Sequence, residues 1–144
     1  MPDLNCYLHF NDNCEEAFNL YRSVFGGDFE MLARFGEAPS GEMKLNPGEE
    51  NKVLHVALKV GQNSMLMGSD CPEAYGMTIN QGNNYSVSIN ADSREQADTF
   101  YAKLSEGGTP MMPMSDAFWG DYFGMAIDKF GVNWMISYSG QRHA

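Results

Sequence analysis

The chain has 144 residues, 43% hydrophobic and 12% aromatic, enough for one well-buried domain or two small units, and this composition excludes a disordered polymer. A formal charge of −10 supplies no basic stripe for nucleic acid or an anionic membrane, and no apolar run approaches the roughly 20 residues that span a bilayer. Met-Pro-Asp-Leu-Asn lacks the basic and apolar regions of a secretion signal, so a cytoplasmic location is expected, and Cys6, Cys14 and Cys71, odd in number and without C-x-x-C spacing, read as reduced thiols.

Residues 4 to 10 alternate as a strand, with Leu4, Cys6, Leu8 and Phe10 on one face and Asn5, Tyr7 and His9 on the other. Asn11-Asp12-Asn13 should turn the chain and cap a helix. Cys14, Ala17, Phe18, Tyr21, Val24 and Phe25 then recur at helical spacing, with Glu15 and Glu16 in the first turn and Gly26-Gly27 as the stop. Phe29 to Phe35 reads as a second strand, and Glu37 to Asn51 as a polar, mobile excursion. Lys52 to Val60 and Ser64 to Met67 predict an antiparallel pair joined by Gly61-Gln62-Asn63, and Ser69 to Asn84 a connector.

Tyr85 to Asn90 predicts another strand. Ser93 caps a second helix whose apolar face is Ala97, Phe100, Tyr101 and Leu104, closed by Gly107-Gly108. Met111 to Met114, interrupted by Pro113, suits an edge strand. An aromatic loop bearing Phe118 and Trp119, a strand from Tyr122 to Ile127, a turn at Asp128 to Gly131 and a strand from Val132 to Tyr138 complete the chain. The halves repeat: Glu15, Ala17, Tyr21 and Gly27 return 80 positions later as Glu95, Ala97, Tyr101 and Gly107, and Gly61, Asn63, Met65 and Ser69 return 70 positions later as Gly131, Asn133, Met135 and Ser139. An α+β fold of two βαβββ modules, about residues 1–70 and 83–140, is expected.

Those modules, with Asn-Cys-Glu-Glu-Ala-Phe-Asn-Leu-Tyr-Arg-Ser-Val-Phe-Gly-Gly in the first and Phe-Trp-Gly-Asp-Tyr-Phe-Gly-Met-Ala-Ile-Asp-Lys-Phe-Gly-Val-Asn-Trp-Met in the second, resemble the vicinal oxygen chelate superfamily. The resemblance is strongest to its PhnB-like glyoxalase/bleomycin-resistance branch, which also carries a 3-demethylubiquinone methyltransferase-like label. It implies one domain in which each module forms a curved mixed sheet around a cup, and a homodimer.

In metal-dependent members of the superfamily, His, Gln or Glu on the first and last strand of each module hold a divalent ion. Those places fall here on Asn5, Met65, Tyr85 and Met135. Two thioethers, an amide and a phenol are poor partners for a hard or borderline divalent cation, so no metal or other cofactor is expected. By alternation Asn5, Tyr7 and His9 should face the cup from one module, and Tyr85, Val87, Ile89 and Met135 from the other, with Phe118 and Trp119 at the mouth. Such a surface suits a small aromatic or amphipathic molecule, with no nucleic acid and no membrane among the partners.

Two other readings stay open. One is a metal-dependent lyase, isomerase or dioxygenase using an unrecognised ligand set that includes His9 and His55; the other is a structural dimer whose cup is filled. Cys14, at a helix start but spaced for the core, reads as packing rather than as a nucleophile. Arg34 and Lys59 read as isolated, solvated strand-edge cations, which gives a phosphonate no cluster, and His143 as a solvated tail residue.

Overall fold

The computed structural model describes residues 2–38, 45–76 and 78–139, so His143 lies outside the described residues. The chain divides into two compact units, Met1–Asn80 and Gln81–Ala144. The first unit runs β1 (Cys6–Phe10), α1 (Cys14–Phe25), β2 (Phe29–Arg34), β3 (Val53–Val60) and β4 (Ser64–Asp70). The second runs β5 (Val87–Asn90), α2 (Arg94–Ser105), β6 (Thr109–Asp116), β7 (Tyr122–Ile127) and β8 (Asn133–Tyr138). Each is a βαβββ module, and the fold is α+β as expected. The sheets are ordered β1-β4-β3-β2 and β5-β8-β7-β6. Each is mixed, because β1 runs parallel to β4 and β5 parallel to β8, while the remaining pairs are antiparallel.

In the first unit, helical spacing puts Cys14, Ala17, Phe18, Tyr21 and Val24 on one buried face of α1, packed against β3 and β4. Phe18 and Tyr21 are fully buried, each adding about 1.5–3 kcal/mol of apolar burial. Gly68 makes that approach feasible: a Cβ there would lie 2.7 Å from the Phe18 ring and 2.9 Å from the Leu8 carbonyl oxygen. The helix start departs from expectation. The Asn13 side chain makes no capping bond, and the Cys14 N–H instead donates to Asp70 Oδ1 at 3.0 Å, while Asp70 Oδ2 accepts from the Val53 N–H at 2.9 Å. A carboxylate remote in sequence thus ties the helix to β3 and β4, and its burial raises its pKa. β4 continues through Asp70 instead of ending at Met67 because its last residues pair with β1, Phe10 standing opposite Asp70. The Cys14 thiol, fully buried, is pushed upward by desolvation and then by Asp70 and Glu15, in keeping with a packing role.

Two expectations fail here. Leu4 precedes β1 and is 98% exposed, so it takes no part in the apolar face. Arg34 is not isolated: its guanidinium forks onto Glu15 with both N···O distances 2.9 Å and also donates to the Asn51 carbonyl at 3.0 Å. Sequence separation concealed the pair, since β2 and the first turn of α1 meet only in the folded unit. Lys59 is exposed, as expected.

In the second unit α2 buries Ala97, Phe100 and Leu104. Ser93 caps it as expected, its Oγ accepting the Gln96 N–H at 3.0 Å, and Gln96 reaches back to accept the Asp92 N–H. The turn after β7 is organised by Asp128, which is 2% exposed. Its Oδ1 accepts from the N–H groups of Phe130 and Val132, and its Oδ2 from the Trp134 indole at 2.9 Å. No helix among the described residues is long and apolar enough to cross a membrane.

Candidate functional site

Each helix covers one face of its sheet, and strand register decides which side chains remain on the other. In the first unit Leu8, Phe10, Leu66, Val56 and Leu58 are buried on the helix side. Their alternates form the helix-free face: Tyr7 stands opposite Met67 on β4, which stands opposite Ala57 on β3, which stands opposite Met31 on β2. His9 and His55 have the same parity as Tyr7 and Ala57. The Tyr7 ring lies between the two imidazoles, 5.1 Å from His9 and 5.6 Å from His55 between centroids, and its hydroxyl is 3.1 Å from His55 Nδ1. Tyr7 is 38% exposed, His9 is exposed and His55 is half-buried, so all three can be reached.

Of the residues expected on this face, Tyr7 and His9 are brought together by β1. Met65, half-buried and opposite Lys59, has the parity of Met67 and belongs to the same face. Asn5 is exposed but precedes β1 and shares no ring contact with the cluster. Met67 was legible in the sequence as the next alternate after Met65. His55 was legible only as a histidine on a strand; its pairing with Tyr7 depends on β4 lying between β1 and β3.

In the second unit the register Ser88, Met135, Met125, Met112 defines the helix-free face across β5, β8, β7 and β6. Here an expectation is overturned. Val87 and Ile89 stand opposite Trp134 and Ile136, which are buried on the α2 side, so they point away from the Met135 face. The shift of 80 carries α1, Cys14–Phe25, onto α2, Arg94–Ser105, but it also carries Leu8, on the helix side of its sheet, onto Ser88, on the helix-free side, so the strands match one residue out of step and every side chain is reversed. Ser88 and Asn90, not Val87 and Ile89, are the alternates on the Met135 face, and Asn90 Oδ1 accepts a 2.7 Å bond from the Ser137 hydroxyl. Tyr85 falls before β5 and is 42% exposed; its hydroxyl accepts the Asn133 N–H at 3.3 Å.

Trp119 and Phe118 occupy the tight loop before β7, closed by bonds from the Ala117 N–H to the Asp121 carbonyl and from the Gly120 N–H to the Ala117 carbonyl. Gly120 has φ +108°, a left-handed backbone that favours glycine. The Trp119 ring lies 5.4 Å from Phe123, a residue of the helix-free face, and 5.1 Å from Phe118, while its indole N–H donates to Asp121 Oδ2 at 3.0 Å. Trp119 is half-exposed and Phe118 almost wholly so. The loop therefore carries one ring against the face and one in solvent.

The donor chemistry of these faces does not fit a divalent ion. Asn5, Met65, Tyr85 and Met135 are amide, phenol and thioether groups, and His9 and His55 supply two imidazoles with a tyrosine ring between them. Among the described residues no three His, Cys, Asp or Glu side chains converge as a ligand set.

Comparison with known proteins agrees with the architecture. The model of a family described as 3-demethylubiquinone-9 3-methyltransferase matches residues 2–137. The crystal structure of protein PA1353 from Pseudomonas aeruginosa is 35% identical and superposes with a TM-score of 0.84, covering 96% of this chain and 98% of that one. The PhnB protein of Bacillus cereus is 27% identical with a TM-score of 0.73, covering 95% and 99%. A glyoxalase/bleomycin resistance protein from Albidiferax ferrireducens, 18% identical with a TM-score of 0.61 over 93% and 95%, shares the fold. The chain therefore belongs to the 3-demethylubiquinone-9 3-methyltransferase family.

Proposed function

We propose that the protein binds a small aromatic or amphipathic molecule on the helix-free faces of its sheets, without a divalent metal. The observation that carries this reading is the Tyr7 ring set between His9 and His55 on a face that α1 leaves uncovered. A planar ligand stacks on such rings, and the imidazoles and phenol supply hydrogen bonds at its polar edge. Trp119 against Phe123 offers a second stacking surface, with the unbranched Met65, Met67 and Met135 as adaptable apolar walls. The cytoplasm is the proposed location, and a homodimer the proposed assembly.

The methyltransferase description attaches to the family and does not by itself assign a reaction to this chain. A nucleotide-type cofactor is usually held by a glycine-rich turn leading into a helix. Here α1 and α2 follow Asn11-Asp12-Asn13 and Ala91-Asp92-Ser93, and the glycine pairs come after the helices.

The test is a screen of small aromatic and amphipathic compounds read by the ring resonances of His9 and His55, with and without EDTA. Compounds that shift both histidines equally in either condition support the reading. Binding that disappears with EDTA and returns with a divalent ion would replace it with the metal-dependent enzyme, and the absence of any binder would favour a structural role.

A further inference from the structure

A row of three thioethers crosses the second unit. Met112 on β6 is registered opposite Met125 on β7, and Met125 opposite Met135 on β8, so all three occupy one level of the helix-free face. Residues directly opposite in neighbouring strands have Cβ atoms roughly 4.5–5.5 Å apart, a spacing that flexible methionine side chains close to a common point. The register shifts of β6 on either side of Met112 preserve this placement. Pro110 pairs with Ala126 on the helix side and Ser115 with Phe123 on the helix-free side. Met114 falls on the helix side as well, its Sδ lying 2.8 Å from where a Gly124 Cβ would stand.

Packing does not account for the choice of residue. Met112 is 44% exposed and Met125 and Met135 are half-buried, positions where strand preference favours Val, Ile or Thr. Thioethers are poor ligands for the usual divalent ions but good ones for a soft monovalent cation, and the flanking Ser88 and Ser137 on β5 and β8 bring no competing charge. We infer that Met112, Met125 and Met135 form a trigonal thioether site for a soft monovalent cation of the Cu(I) class. The site shares Met135 with the walls proposed for an aromatic ligand, but that reading is carried by Tyr7, His9 and His55 in the first unit, whose rings the cation should leave unmoved.

The probe is Ag(I), a redox-inert cation of the same class, titrated without chloride into the full chain and followed by methionine methyl resonances. One equivalent should shift the Met112, Met125 and Met135 methyls together and leave the rings of His9 and His55 unmoved. Met125→Leu and Met135→Leu, which preserve volume and fold, should each weaken binding at least tenfold. Cys6→Ser, which removes the half-buried thiol, should leave it unchanged. Silver that moves none of these methyls, survives both leucine variants or is lost with Cys6→Ser overturns the inference. The wild-type methyl spectrum decides the matter even where a variant fails to fold.

Discussion

The Tyr7 hydroxyl and His55 Nδ1 meet at 3.1 Å, joining β1 to β3 across the intervening β4. With the imidazole protonated on Nε2, the hydroxyl donates. The contact is solvent-exposed, so its net contribution to folding is about 1 kcal/mol or less. Tyr7→Phe should therefore melt within a few degrees of wild type while displacing the His55 ring resonances, and should weaken a screened ligand by ~1–2 kcal/mol. Unchanged affinity in calorimetric titration would remove the hydroxyl from the site.

Trp119 reports on the second unit. Because it is half-exposed, Trp119→Ala should lower stability by only about 1 kcal/mol in urea unfolding, yet weaken a ring-stacking ligand by ~1–3 kcal/mol. Trp134, buried and bonded to Asp128, should be left as the sole indole emitter. A ligand whose affinity ignores the change does not touch this loop.

Asp128 is the buried acceptor whose loss should be felt most. Asp128→Ala strands the N–H groups of Phe130 and Val132 and the Trp134 indole, three donors satisfied by one carboxylate. At ~1–3 kcal/mol for each buried unsatisfied donor, a loss above about 3 kcal/mol is expected in chemical unfolding. A loss below about 1 kcal/mol would show that water replaces the carboxylate and that the turn does not depend on it.

The Arg34–Glu15 pair makes a pH-dependent contribution of known sign. Hydrogen bonding to Arg34 holds the Glu15 carboxyl below its usual value. A carboxyl depressed by folding stabilises the folded state above its unfolded pKa, and this contribution is lost as the pH falls through the folded pKa. Both side chains are partly exposed, so the Glu15-dependent part of the difference between wild type and Arg34→Ala should be about 1 kcal/mol or less at neutral pH and should be lost in acid, leaving only what the Asn51 carbonyl bond contributes. A gap that persists fully below the carboxylate range would assign it to packing of the arginine stem.

Much of this fold was legible in the sequence, because its signals are local. Helical spacing and glycine stops placed α1 and α2, alternation put Tyr7 and His9 on one face and Leu8 and Phe10 on the other, and the internal repeat matched the βαβββ order. Long-range relations were not legible. Asp70 replacing Asn13 as the acceptor at the start of α1, Arg34 forking onto Glu15, and Tyr7 reaching His55 all join residues far apart in the chain. Nor could the repeat supply the face of β5: the loops 11–13 and 91–93 are equally long, yet Leu8 faces α1 while Ser88, its counterpart at a shift of 80, lies on the helix-free face. Spacing along the chain specifies elements; strand order and register specify neighbours, and neighbours decided that Val87 and Ile89 stand beside the buried Trp134 and Ile136 while three methionines line up on the opposite face.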